Sequence, residues 1–97
     1  MEPKPVRPAA VAIQQRFFEA LNRCIKEGRI SSLQSFCQDN DLNRPKYVKL
    51  RQLILNPEIE RTGKPYKVID IDALSYIVKD GKVSASWLLT GKGDIFK

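Results

Sequence analysis

LQSFCQDNDLNRPKYVKLR, residues Leu33 to Arg51, reads as two short helices joined by a tight corner. Phe36 and Cys37 give the first helix an apolar side. Leu42 follows the corner, and Tyr47 and Leu50 return the apolar side on the second helix. Those tethers let the two helices cross and share one buried face, the requirement of a helix-turn-helix. Asn43 is placed to cap the second helix, because its side-chain oxygen accepts an orphan amide hydrogen. Pro45 falls in the first turn, where no donor is missed. The corner at Asn40-Asp41 asks for a positive φ, which Asn and Asp tolerate best after glycine. Arg44, Lys46, Lys49 and, further round, Arg51 then face outward. Four cations on the open side of a short helix suit the major groove of duplex DNA.

Upstream, Val11 to about Glu27 predicts a long helix. Ile13, Phe17, Ala20, Leu21, Cys24 and Ile25 recur at steps of three and four and form a wide apolar stripe. Gln14, Arg16, Glu19, Arg23 and Lys26 take the polar side, and Gly28 supplies a left-handed stop. Phe18 falls beside the stripe, where it could meet another chain. Ser31 or Ser32 caps the next helix. Ahead of all this, residues 1–10 (MEPKPVRPAA) hold three prolines, Lys4 and Arg7 without apolar period. They predict an extended basic arm, either a solvated tail or a reach into a minor groove.

Downstream, the second helix of the pair should run from Arg44 to about Leu55, stopped by Asn56-Pro57. Residues 57–69 (PEIERTGKPYKVI) fit a plain connection or a small β-hairpin turning at Thr62-Gly63-Lys64. Asp70 or Asp72 starts a helix with Ile71, Leu74, Ile77 and Val78 as its apolar face, broken at Asp80-Gly81-Lys82. Val83 enters the core, and Ser84 caps a last helix from Ala85 to Thr90 that Gly91 stops. Trp87 and Leu88 should close the core, with Gly91-Lys92-Gly93 leading to a loose end.

Composition narrows the function classes. The chain has 97 residues, 42% of them hydrophobic, enough for one domain with a modest core. Its net charge of +6 points to a polyanionic partner. Location says more than the sum: residues 43–67 hold seven bases against two acids, whereas residues 68–97 hold four of each. Two cysteines without any histidine make no credible zinc site and read as buried thiols of a cytoplasmic protein. No apolar run approaches the roughly 20 residues of a membrane span, and no signal core opens the chain. With no histidine, no base near a serine and no glycine-rich phosphate loop, an enzyme is not expected, nor is a cofactor or a small-molecule substrate.

Two stretches carry a family resemblance. One is the Leu33–Arg51 pair; the other is Val83-Ser84-Ala85-Ser86-Trp87-Leu88-Leu89-Thr90-Gly91-Lys92-Gly93, which looks like a "V-S-x-x-W-L-L-x-G-x-G" ending. Together they resemble the lambda-repressor-like family of phage and XRE-type transcriptional regulators, over about Ile13 to Gly93. The chain departs from that pattern with Asp41 where glycine is usual, and with Leu33 in place of a polar glutamine, Gln34 being the nearest substitute.

The resemblance implies an all-α, five-helix lambda-repressor-like bundle whose third helix docks in operator DNA, commonly as a symmetric dimer. Residues 1–10 would be the arm and residues 11–97 the DNA-binding domain. With no further domain following, a homodimer would have to form through this one. The family pattern sets Arg44, Pro45 and Lys46 nearest the base edges with Lys49 close behind, and Arg44 or Lys46 is expected to read a guanine. Gln34, Asn43, Arg51, Lys64 and Lys67 complete the expected contacts, the last two on the phosphate backbone. The implied function is sequence-specific binding of double-stranded DNA by a small transcriptional regulator of phage or mobile-element type. The alternative is a helix-turn-helix that binds another protein, antitoxin-like or in phage assembly. Phe18, Leu33 and Leu55, apolar at places that read as exposed, are the features that would favour it.

Overall fold

The computed structural model describes residues 8–55 and 69–97. Residues 1–7, most of the expected arm, lie outside the described residues. So do the loop-or-hairpin question over 57–68, Lys64, Lys67 and the side chain of Leu55. Five helices make up the described part: α1 (Pro8–Lys26), α2 (Leu33–Asp39), α3 (Arg44–Leu55), α4 (Ile71–Gly81) and α5 (Ala85–Thr90). The architecture of the described residues is all-α.

α1 begins three residues inside the expected arm, since Pro8 suits a first turn whose amide has no partner to lose. It ends in a Schellman turn: Gly28 takes φ +78°, the Arg29 amide donates to the Cys24 carbonyl at 2.8 Å, and the Gly28 amide to Ile25 at 3.2 Å. The corner between α2 and α3 repeats this device with a different residue. Asp41 sits at φ +54°, and the amides of Leu42 and Asp41 donate back to Cys37 at 2.8 Å and Gln38 at 3.4 Å. A short acidic side chain thus does a glycine's work, at a modest cost in strain.

Capping follows the side chains named from sequence. Ser32 Oγ accepts the Ser35 amide at 3.0 Å, Asn43 Oδ1 the Lys46 amide at 3.1 Å, and Ser84 Oγ the Trp87 amide at 3.3 Å. Gly91, at φ +77°, closes α5.

α1 is the hub, with α3, α4 and α5 all packed on it. That is why its buried arc is wider than the stripe. Phe18 is fully buried rather than left for another chain, and its ring meets Phe17 edge-on at 5.0 Å. Phe36 and Tyr47 complete an aromatic cluster with Phe17 at 6.0 and 6.1 Å. Such pairs add about 0.5–1.5 kcal/mol each beyond their buried area. Leu33 is buried too, which removes it from the expected exposed patch.

Two residues given to the polar side of α1 turn inward instead. Gln14 is buried, and its Oε1 accepts the Ile69 amide at 2.9 Å. Arg16 donates from Nε to the Leu88 carbonyl at 2.8 Å and from Nη2 to Leu89 at 3.0 Å. It thereby satisfies orphan carbonyls at the negative end of α5.

α4 is rotated from the expected face. Ile69, Ala73, Ile77 and Gly81, spaced by fours, are buried, whereas Ile71 is 88% exposed and Leu74 and Val78 are half-buried. Small residues set this orientation. A Cβ built on Gly81 would stand 2.5 Å from Cys24 Sγ, so the last turn of α4 approaches α1 as only glycine allows. Gly81 therefore belongs to the helix; the left-handed break falls on Lys82, at φ +57°.

The carboxy-terminal segment is not loose. It folds back so that Val83 and Phe96 pair as an antiparallel bridge, the Ser84 amide donates to Ile95 at 2.8 Å and the Lys97 amide to Lys82 at 3.1 Å. The Arg29 guanidinium lies 3.9 Å from the centre of the Phe96 ring, a cation–π contact that holds the return. Leu88 is buried, but Trp87 is only half-buried.

Candidate nucleic-acid interface

α3 presents two unlike sides. Tyr47, Leu50 and Ile54 are buried, and Arg44, Pro45, Lys49 and Gln52 are exposed. The Asn43 cap fixes where the helix begins and so sets the direction of its first turn. Among the described residues, no carboxylate lies within ion-pair distance of Arg44, Lys49 or Arg51. Arg44, Pro45, Val48, Lys49 and Gln52 line a shallow depression on the outer side. Gln34 of α2 and Asn43 at the corner are exposed as well.

Lys46 stands apart from the other cations. Its Nζ is 3.3 Å from Asp70 Oδ1, and its side chain keeps only 24% of its exposure. The expectation of an open cation is corrected at this position: Asp70, at the start of α4, already holds it. Arg51 is half-buried. Burial pushes the Cys37 thiol up, and the charges of Arg44 and Arg51 pull it partly back. Both cysteines are free and buried, and burial likewise pushes the Cys24 thiol up.

Asp70 links this face to the rest of the molecule. Its carboxylate accepts the Tyr47 hydroxyl at 2.7 Å, and that same hydroxyl accepts the Asp70 amide at 2.9 Å. The hydrogen bond from Tyr47, and then Lys46, hold the Asp70 carboxyl below the usual carboxylate value. Burial pushes the Tyr47 phenol well above its ordinary value, keeping it a donor. Because the carboxylate is so engaged, it makes no cap hydrogen bond to α4.

Sequence reasoning missed Gln52 and the Lys46–Asp70 pair. Gln52 lies one turn beyond Val48 and Lys49 on the exposed side, and a carboxamide suits an adenine edge. Its signal was present in the helical spacing. The pairing with Asp70 crosses a separation of 24 residues and had no local signal.

Among the described residues, no group of three or more His, Cys, Asp or Glu side chains gathers as a metal site. No described helix is long and apolar enough to cross a membrane. Comparison of the chain with protein-family models, curated proteins and solved structures finds no match.

Proposed function

We propose that this chain binds double-stranded DNA sequence-specifically, as a small transcriptional regulator of phage or mobile-element type. In this reading α2 and α3 are the helix-turn-helix of a lambda-repressor-like bundle, and α3 enters the major groove. One observation carries the reading: a capped helix buries Tyr47, Leu50 and Ile54 while Arg44 and Lys49 stand exposed, with no described carboxylate paired to them. Arg44 takes the base-reading role on a guanine, Gln52 adds an amide, and Lys49 and Arg51 neutralise phosphates. Lys46, held by Asp70, positions rather than reads. Gln34 and Asn43, both exposed, take the remaining contacts in this reading.

The protein-binding alternative has lost two of its three supports, since Phe18 and Leu33 are core residues.

Selection of bound sequences from a random duplex pool tests the proposal. An enriched consensus, competed poorly by random duplex, is the expected result; two-fold symmetry in it would assign a homodimer as well. Recovery of the input pool without enrichment would overturn sequence-specific reading.

A further inference from the structure

Ile71, 88% exposed, and Leu89, 49% exposed, are the large apolar side chains that the described residues leave open, and both line one groove. The groove runs between α4 and α5, and the half-buried Leu74 and Val78 complete its floor. Lys79, Lys82 and Lys97 stand on its rim, and among the described residues no Asp or Glu side chain lines it. The feature is separate from the α3 face, with which it shares no lining residue.

We propose that this groove docks an amphipathic helix of a partner protein, with apolar side chains on the Ile71–Leu89 floor and carboxylates against the three lysines. A helix laid in a groove buries its apolar stripe, and the complementary rim selects partner and register. The rim speaks against a second copy of this chain, because a two-fold contact sets each patch against itself and would bring like charges together. The floor speaks against nucleic acid, whose phosphates gain nothing from an apolar surface.

The test uses the whole chain and a synthetic helical peptide carrying leucines at three- and four-residue steps flanked by glutamates. Amide chemical shifts are followed on titration. Saturable shifts at Ile71, Leu74, Val78 and Leu89 are expected, with affinity falling about tenfold or more in Ile71→Ser and in Lys79→Glu/Lys97→Glu. Unchanged thermal unfolding of these surface variants establishes that they fold. Equal binding by the same peptide with lysines for glutamates, or by polyglutamate, would overturn the proposal. So would concentration-dependent shifts at Ile71 and Leu89 in the protein alone, which assign the groove to a second copy. Capture by phosphatidylserine vesicles that Ile71→Ser abolishes, without peptide binding, would assign it to a membrane surface instead.

Discussion

The Tyr47 hydroxyl and the Asp70 backbone and carboxylate are bonded in both directions, at 2.7 and 2.9 Å. One phenol therefore ties the buried side of α3 to the first residue before α4. Tyr47→Phe keeps the ring and removes both bonds, leaving the Asp70 amide without its acceptor. We expect a loss of about 1–2 kcal/mol in urea unfolding, with the slope unchanged.

Acid should act on the same junction. Asp70 is held below its ordinary value in the folded chain, so its contribution is present above about pH 3.9 and disappears as pH falls through the lower folded value. Asp70→Asn should flatten that acid limb of stability measured by circular dichroism against pH. An unchanged limb would mean the carboxylate is not linked to folding.

Asp70→Asn also frees Lys46. If α3 meets phosphates, the variant should bind random duplex more tightly and show a salt slope steeper by about 0.9 for one added contact. The parent chain itself should give a slope of roughly −4, for about four to five neutralised phosphates. A slope near zero would remove the DNA assignment.

Arg44→Ala should weaken a selected site by about 1–3 kcal/mol while changing random-duplex affinity far less. Fluorescence anisotropy on both duplexes separates the outcomes. Equal losses on both would leave Arg44 as a phosphate contact only.

Gly81→Ala places a methyl group against Cys24 Sγ and should destabilise by about 1–3 kcal/mol, although alanine is the better helix former. Thermal unfolding of Gly81→Ala beside Gly81→Ala/Cys24→Ala checks the cause, because removing the thiol should restore much of the loss.

Local chemistry was the legible part of the fold. Ser32, Asn43, Ser84, Gly28, Asp41 and Gly91 act within a few residues of themselves, and each sits where its side chain or φ demands. The orientation of α4 was not legible, because Ala73 and Gly81 carry little apolar weight yet decide how closely the helix meets α1. Gln14 and Arg16 were hidden for another reason. Their polar ends satisfy backbone groups 55 and 72 residues away, which no periodicity can announce. At the candidate site, the exposed row from Arg44 to Lys49 followed from helix geometry, whereas the capture of Lys46 needed the fold.

The aromatic cluster has a consequence for recognition. Tyr47 touches Phe17 and Phe18 of α1 and is bonded to Asp70, so α3 cannot tilt without disturbing the molecule's interior. If α3 enters a major groove as proposed, the duplex must supply the adjustment itself. Base steps that bend or widen cheaply would then be favoured even where no side chain reaches them.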